Sequence, residues 1–327
     1  GKTGAFPIGV LNKINVKDFS VQAMILSPTR ELSIQSMDVI KTIGSYVKGL
    51  RVQLLVGGTS TFEDIQLLEK NTPHIIVGCP GRTYDMIKRG YINTETLNLF
   101  ILDEADELLS FGFKEQIYNI FQYLSPNCQI GLFSATMPPD VTTLSNKFMR
   151  EPLSILVKSE MLTLEGISQF YIALESDSMK FSTLKDLYST LSISQCIIYC
   201  NSVKRVEDLY EAMMEDSFSV SRIHSNMDKH DRELAYRDFK SGKNRILISS
   251  NVTARGIDIQ QVSTVINFDI PKDHHTYLHR IGRSGRWGRK GTSINFVTKY
   301  DMKTLKLLEQ YYNIEIKELP ATFVKQE

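Results

Sequence analysis

The first three residues, Gly1, Lys2 and Thr3, match the end of the phosphate-binding loop pattern G-x-x-x-x-G-K-[ST]. A lysine and a hydroxyl at these positions can bind nucleotide phosphates and a magnesium ion. Farther along, Asp103 ends the apolar run LFILD and Glu104 follows it. A strand that ends in aspartate can hold the metal opposite such a loop, and the glutamate can act on an attacking water. The acidic pair could instead begin a helix, where the macrodipole favours carboxylates, but the upstream Gly-Lys-Thr favours catalysis.

A second candidate group is the stretch HRIGRSGRWGR, in which arginines recur at intervals of three: Arg280, Arg283, Arg286 and Arg289. On a helix this spacing would place the guanidinium groups on one side, where they could meet phosphate oxygens. A solvated basic helix is the alternative. Each glycine costs a helix about 1 kcal/mol relative to alanine, so the glycines here favour close approach of the backbone to a ligand instead.

The elements that would position these residues alternate between short apolar runs and longer amphipathic stretches. This alternation predicts βαβ units and parallel sheets, with candidate helices at 114–124 and 303–312. In the first half the runs lie at 21–27, 51–57, 74–78, 99–103, 130–136 and 153–157. In the second half they are ISQFYIAL, CIIYC, RILISS, TVINFDI and TSINFV.

The length of the chain predicts two domains. With 327 residues and about 150 residues for a typical domain, two hydrophobic cores are expected. The polar stretch 158–166 interrupts the alternation of strands and helices. We therefore expect a first domain at 1–157, a linker at 158–166 and a second domain at 167–327.

Composition excludes several classes of protein. The formal net charge of +1 argues against binding nucleic acid by bulk charge, although a local basic cleft remains open. The four cysteines form no C-x-x-C pair, so free thiols are expected rather than a zinc site or disulfides. No apolar run reaches about 18 residues and no signal peptide is evident, so we expect a soluble intracellular protein without a membrane partner.

Seven motifs occur in an order that resembles the DEAD-box RNA helicases, and the resemblance covers the whole chain. The resemblance implies an α/β fold with two RecA-like parallel-sheet P-loop NTPase domains in tandem. Further stretches, including LTLEGISQFY and RKGTSINFV, resemble the initiation factor 4A group of this family. The seven motifs are PTREL (28–32), GG (57–58), PGR (80–82), DEAD (103–106), SAT (134–136), ARGID (254–258) and HRIGRSGR (279–286).

The resemblance assigns roles in ATP binding and hydrolysis with Mg²⁺. Lys2 would contact the β- and γ-phosphates, Thr3 and Asp103 would hold the magnesium ion, and Glu104 would act on the attacking water. The remaining nucleotide residues would be Gly1 of the phosphate loop, Asp258 at the ribose, Trp287 near the adenine, and Arg283 and Arg286 as arginine fingers.

Coupling and RNA binding are also implied by the resemblance. Ser134 and Thr136 would link Asp106 to His279, so that hydrolysis and strand separation depend on each other. RNA would be held through its sugar-phosphate backbone with weak sequence preference. The RNA contacts would be Arg30, Gly57, Gly58, Gly81, Arg82, Asn201, Arg232, Ser250 and Gly256.

Several residues depart from the family pattern on the RNA-facing side. Cys79 stands where threonine is usual, HSNM (224–227) replaces H-G-D-M, Lys229 replaces glutamine, and Asn251 replaces aspartate. The residues assigned to hydrolysis are intact, so we expect preserved hydrolysis with altered RNA affinity or coupling. The family's first strand and half of its phosphate loop would precede Gly1, so we expect a fragment that binds ATP weakly by itself.

Three functions remain open at this point. The favoured one is an RNA helicase that unwinds short duplexes in translation initiation or in ribosomal RNA or mRNA processing. A low-turnover, ATP-gated RNA clamp that serves as a scaffold is the second, and a DNA translocase is the third. We expect a monomer with protein partners typical of the 4A group. The motifs ILSPTREL and DEADELLS lean slightly to its nuclear branch, whereas LFSATMP resembles the translation factor.

Overall fold

The computed structural model describes residues 2–109, 113–137, 139–155, 166–190, 193–251, 262–284 and 290–319. The chain divides into two compact units, residues 1–155 and 156–327. Each unit contains a parallel β-sheet with helices, which confirms the expected α/β class with two parallel-sheet domains in tandem. Most of the stretch predicted as a linker lies outside the described residues.

The first unit is built on five described strands that all run parallel. They are β1 (Ala23–Leu26), β2 (Val52–Leu55), β3 (Ile75–Gly78), β4 (Leu99–Asp103) and β5 (Gln129–Phe133). Their order in the sheet is β2-β3-β1-β4-β5. In the central strand β1, Ile25 pairs with Val77 on one side and Ile101 on the other.

Helices cover both faces of this sheet, so its central strands are apolar at every position rather than alternating. Met24 belongs to one hydrophobic cluster, whereas its neighbour Ile25 belongs to a second cluster with Phe6 and Val10. The helices of this unit are α1 (Lys2–Lys13), α2 (Arg30–Ile43), α3 (Thr61–Lys70), α4 (Pro80–Lys88), α5 (Ala105–Leu108), α6 (Lys114–Gln122) and α7 (Pro139–Phe148).

Three of these helices begin at recognisable sequence signals, directly after a strand or its loop. The hydroxyl of Thr29 accepts from the Leu32 amide at 3.3 Å at the start of α2. Ser60 caps α3 in the same way. Helix α4 starts with Pro80, whose missing N–H is not needed in the first turn. Helices α2, α3 and α4 therefore begin close to the carboxyl ends of β1, β2 and β3.

The second unit contains seven described strands, again all parallel, in the order β12-β6-β11-β10-β7-β9-β8. They are β6 (Ile167–Leu174), β7 (Cys196–Tyr199), β8 (Val220–Ile223), β9 (Ile246–Ser249), β10 (Thr264–Asn267), β11 (Gly291–Thr298) and β12 (Lys317–Glu318). Its described helices are α8 (Lys180–Thr190), α9 (Val203–Glu215), α10 (Lys229–Lys240), α11 (His274–Ile281) and α12 (Met302–Tyr312).

The structure corrects the sequence-based element assignment at three places. The run at 153–157 was predicted as a strand, but its described residues, 153–155, form irregular chain in which Leu153 and Ile155 are 87% and 81% exposed. Strand β8 was missed because the two central residues of its sequence VSRI are polar, so it forms no apolar run. Strand β12 was missed because it has only two residues.

Two expectations from composition can be compared directly with the structure. All four cysteines are free, as predicted. In the described ranges, no helix combines the length and the apolar composition needed to cross a membrane.

Candidate functional site

The carboxyl edge of the first sheet collects most of the residues singled out in this unit. In a parallel sheet all strands end on the same edge, and open α/β sheets bind ligands there. Arg30 follows β1, Gly57 follows β2, and Gly81 follows β3. Asp103 ends β4 and Ser134 follows β5 directly. The fold thus gathers residues that are far apart in the sequence.

Asp103 and Glu104 have different environments at the end of β4. Asp103 is 4% exposed, and its Oδ1 accepts from the Glu104 amide at 3.1 Å. Glu104 has a φ of 50°, in the left-handed region that a residue with a side chain rarely adopts. Its Oε2 is buried and has no hydrogen-bond partner among the described residues. Such strain and an orphaned carboxylate oxygen are typical of a functional position.

The structure brings together three residues that the sequence analysis placed in one group: Asp106, Ser134 and Thr136. The Thr136 hydroxyl donates to Asp106 Oδ2 at 2.6 Å, and Ser134 Oγ accepts from the amides of Asp106 and Thr136, both at 3.3 Å. The loop after β5 is therefore tied to the short helix α5. His279, the fourth member of this predicted group, belongs to the second unit.

The glycine pair after β2 lies against the first residue of α2. Arg30 Nη1 donates to the Gly57 carbonyl at 3.3 Å. Gly58 has a φ of 76°, which favours glycine, and a Cβ there would lie 3.6 Å from Arg30 Nη1. This turn and Arg30 therefore form one local structure, and a side chain at Gly58 would disturb both.

Arg82, predicted as an RNA contact, is held by protein groups in this structure. Its guanidinium pairs with the buried carboxylate of Asp64 and donates to the hydroxyl of Thr59 at 3.1 Å and the Thr59 carbonyl at 2.9 Å. The Arg82 and Asp64 side chains are only 11% and 9% exposed. Arg82 thus fastens the turn after the glycine pair to α3 and α4, a role for which the sequence offered no signal.

Close packing between β2 and β3 explains a glycine that motif matching passed over. A Cβ on Gly78 would lie 2.3 Å from the Leu55 carbonyl oxygen and 2.8 Å from Thr83 Oγ1. The next residue, Cys79, lies 3.6 Å from Ser33 Oγ through its sulfur, and burial raises the pKa of its thiol to about 11. The thiol at this departure from the family pattern is therefore protonated and faces α2.

The start of the chain continues directly into helix α1. Thr3 lies in the first turn of this helix, which begins at Lys2. A phosphate loop that leads into a helix amino terminus is the arrangement expected for anion binding. Gly1 and the side chain of Lys2 lie outside the described residues.

In the second unit, RNA-contact candidates also lie at the carboxyl edge of the sheet. Asn201 follows β7 and Ser250 follows β9. Arg232 on α10 donates to the carbonyls of His224 and Ser225, both at 3.2 Å, in the loop after β8. His224 in turn contacts Glu207 at 2.5 Å.

Arg280 differs from the expectation that it faces phosphates. Helix α11 ends at Ile281, so Arg283 lies beyond the helix that carries Arg280. Arg280 is fully buried and donates to the side-chain oxygens of Asn201 at 2.8 Å and of Asn267 at 3.1 Å. It also donates to Asn251 Oδ1 at 2.9 and 2.6 Å and to the Asp269 carbonyl at 2.7 Å. Its guanidinium lies 5.2 Å from the ring centre of Tyr199.

The remaining candidates of the second unit are only partly described. Arg283 is 7% exposed, and its Nε donates to the carbonyl of His279, which is 4% exposed, at 3.3 Å. Four assigned residues and one side chain fall outside the described residues: Gly256, Asp258, Arg286, Trp287 and the side chain of Lys229.

The sequence analysis did not identify the residues that hold the side chains of these sites in place. Thr59, Asp64, Asn267 and Asp269 are held in place by partners from distant elements, and only the structure reveals the pairing. Within the described residues, no group of three or more His, Cys, Asp or Glu side chains could form a metal centre.

Two family models match the chain. The model described as DEAD/DEAH box helicase matches residues 1–144, and the helicase conserved C-terminal domain matches residues 179–288. The two matches lie within the two compact units of the structure.

Curated relatives and a solved structure agree with these matches. The chain is 50% identical over 321 residues to eukaryotic initiation factor 4A of Drosophila melanogaster, covering 98% of this chain and 79% of that protein. It is 51% identical over 320 residues to the same factor of Cryptosporidium parvum, covering 98% and 78%. S. cerevisiae Dbp5 bound to RNA and ADP BeF3 matches with a TM-score of 0.90 and 33% identity, covering 98% and 83%. The chain therefore belongs to the DEAD-box family, as an RNA helicase and ATPase similar to eukaryotic initiation factor 4A.

Proposed function

We propose that the protein binds RNA through its sugar-phosphate backbone and closes two domains around ATP, Mg²⁺ and RNA. It then separates short duplexes locally and hydrolyses ATP for release. The proposed domains are 1–157 and 167–327, joined by the linker 158–166. The observation that best supports this function is the arrangement of Asp103, Glu104 and Asp106 at the carboxyl end of β4, with Thr136 bonded to Asp106.

The residues present fit a magnesium nucleotide. Asp103 is buried at the strand end, and the buried Oε2 of Glu104 lacks a partner among the described residues. Thr3 and Asp103 would hold the magnesium ion, Lys2 would bind phosphate oxygens, and Glu104 would accept a proton from the attacking water. When bound, the ion would neutralise charge that develops on the phosphates. Gly1, Asp258, Trp287, Arg283 and Arg286 complete the proposed nucleotide contacts.

RNA contact is proposed for the loops at the carboxyl edges of both sheets. Dbp5 is bound to RNA in the structure that resembles this chain. The local arrangement of Arg30 with Gly57 and Gly58 supports a backbone contact there, because glycine lets phosphates approach the main chain. The proposed contacts also include Gly81, Asn201, Arg232, Ser250 and Gly256. For Arg82 we propose a structural role instead, in which it holds the turn that follows the glycine pair. Its guanidinium pairs with Asp64 and donates to the Thr59 carbonyl.

The biological process is proposed from the relatives. Identities of 50% and 51% to initiation factor 4A support translation initiation, the branch indicated by LFSATMP, over the nuclear branch. A cytoplasmic site of action follows from this choice. We also propose that the protein acts as a monomer and that it binds protein partners of the kind that bind initiation factor 4A.

The test is RNA-stimulated ATP hydrolysis by the purified protein and its Glu104→Gln variant. We expect stimulation by RNA but not by DNA, and a loss of turnover of about 10²- to 10⁴-fold in the variant. Glu115→Gln, which removes an exposed carboxylate from α6, is the matched control and should retain wild-type turnover.

Other outcomes would separate the remaining functions. Stable RNA retention with ATP but little turnover would favour the low-turnover clamp. Equal stimulation by DNA would favour a translocase that ignores the 2′-hydroxyl. Full activity in Glu104→Gln would contradict the assignment of the glutamate.

A further inference from the structure

Arg280 is a buried cation whose five N–H groups all donate to neutral oxygens. A guanidinium has five N–H donors, and the five hydrogen bonds of Arg280 end on amide oxygens of Asn201, Asn251 and Asn267 and on a backbone carbonyl. Buried arginines are ordinarily paired with a carboxylate. Burial lowers the pKa of Arg280 to about 10, which still leaves it charged at neutral pH. Asp269 and Asp273 attract this charge from a distance, but none of these five hydrogen bonds ends on a carboxylate oxygen.

The nearest buried carboxylate is already shared between other cations. Asp269 Oδ1 accepts from Lys180 at 3.0 Å and from Arg205 at 2.7 Å. Its Oδ2 accepts from Arg205 Nε at 2.9 Å and from the Asn201 amide at 3.0 Å. Arg205 and Lys180 also pair with Asp177. The carboxylate of Asp269 therefore serves Lys180 and Arg205 directly, whereas Arg280 is hydrogen-bonded only to the backbone carbonyl of Asp269 and feels the charges of Asp269 and Asp273 at longer range.

Asn251 is the position at which a directly bonded counter-charge could be supplied. It stands where the family usually has aspartate, and its Oδ1 alone accepts two of the five bonds from Arg280. The residue as a whole is exposed, so a carboxylate there would contact Arg280 while remaining partly hydrated. Aspartate has nearly the shape of asparagine, so the substitution changes charge with little change in packing.

We propose that Asn251 leaves Arg280 without a direct ion pair, and that the charge of Arg280 strengthens the attraction of the second unit for RNA phosphates. The guanidinium of Arg280 donates to the side chain of Asn201. It also donates to Asn251, and Ser250 is the residue before Asn251 in the sequence. Both are proposed RNA contacts, so this inference rests on the proposed function. A cation in a low-dielectric interior acts on a nearby anion more strongly than one that water screens.

The same arrangement has a cost in stability. A buried cation without a charged partner is less stable than one in a bidentate ion pair, because desolvation is not offset by a counter-charge. Restoring aspartate should therefore change stability and RNA affinity in opposite directions. A residue with a purely structural role would change both in the same direction.

The experiment compares the wild-type protein with Asn251→Asp in thermal melting and in binding to a fluorescent single-stranded RNA at several salt concentrations. We expect Asn251→Asp to raise the melting temperature by about 2–5 °C. We expect it to weaken RNA binding about three- to tenfold at low salt, with a shallower salt dependence. The KM for ATP should stay near the wild-type value. Gln310→Glu adds the same charge on the exposed side of α12 and should change neither quantity.

Two results would overturn the inference. Unchanged or tighter RNA binding by Asn251→Asp would show that the Arg280 charge does not reach the phosphates. Weaker RNA binding together with a lower melting temperature would show local damage instead of charge compensation. A wild-type protein that binds no RNA would overturn the proposed function itself, so this failure is distinguishable from the other two.

Discussion

The hydroxyl of Thr136 donates a 2.6 Å hydrogen bond to the carboxylate of Asp106, across 30 residues of sequence. This contact joins the end of β5 to the helix that follows β4. Ser134 reinforces the connection because its hydroxyl accepts from the amides of both residues. We propose that these contacts transmit a change at the end of β4 during nucleotide turnover to the loop after β5.

Removing this bond should separate hydrolysis from strand separation. Thr136→Val loses a hydrogen bond to a charged group, worth about 1.5–3 kcal/mol, which corresponds to roughly ten- to hundredfold in rate. We expect duplex unwinding to fall by that factor, with RNA-stimulated ATP hydrolysis reduced less than about threefold. Thr136→Ser keeps the hydroxyl and should remain near wild type. Equal losses of both activities in Thr136→Val would contradict the coupling role.

The ion pair between Arg82 and Asp64 should be important for the stability of the first unit. Arg82→Met leaves a carboxylate buried without its partner, which typically costs about 3–5 kcal/mol. Urea denaturation followed by a probe in the first unit measures this loss. The double variant Arg82→Met with Asp64→Leu should recover much of it, because no unpaired charge remains.

A matched control for the buried pair is present at the carboxyl end of the same helix, where Arg89 is the residue that follows α4. Arg89 and Asp85 pair at 2.9 Å, but their side chains are 53% and 38% exposed. Arg89→Met should therefore cost only about 0.5 kcal/mol or less. A similar cost for both arginines would contradict the view that burial of the pair determines its contribution.

Gly78 should tolerate no side chain. A Cβ there would lie 2.3 Å from the Leu55 carbonyl oxygen, which belongs to the sheet and cannot move aside. We expect Gly78→Ala to destabilise the first unit by about 1–3 kcal/mol in denaturant titration. Gly9→Ala provides the contrast, because a Cβ added to Gly9 in α1 would extend into open space. We expect this change to raise the free energy of unfolding by up to about 1 kcal/mol. Destabilisation by Gly9→Ala would contradict this contrast.

His74 should make the first unit less stable in mild acid. The side chain of His74 is fully buried, and its Nδ1 accepts a hydrogen bond from the Arg51 amide at 3.0 Å. Burial and the charge of Arg51 lower the pKa of His74, whereas the charge of Asp18 raises it. The unfolded chain, with a histidine pKa of about 6.5, then binds the proton more readily than the folded one. The contribution of neutral His74 to the free energy of unfolding is fully present above the unfolded-state pKa and is lost as the pH falls below that pKa.

Melting curves between pH 7.5 and 5.5 test this expectation. The wild-type melting temperature should decrease over this range more steeply than that of His74→Asn, which cannot titrate. His230→Asn replaces an exposed histidine with 88% side-chain accessibility and should leave the wild-type slope unchanged. Parallel slopes for wild type and His74→Asn would exclude His74 as the cause.

The sequence by itself determined the class of fold and the edge of the sheet at which the proposed site residues lie. Apolar runs such as LFILD record burial on both faces of a parallel sheet, and the residues after each run must lie at one edge. The grouping of Asp106 with Ser134 and Thr136 came from motif resemblance, and the structure shows the contacts.

Only the tertiary structure decided which charged side chains face outward and which hold the fold together. Arg280 and Arg82 occur in motifs rich in arginine and glycine that indicate phosphate contact, yet one is fully buried among asparagines and the other is paired with Asp64. The exposed run at 153–155 and the overlooked strand β8 show the same limit. Local periodicity records how apolar a segment is, whereas burial and pairing depend on which distant elements pack against it.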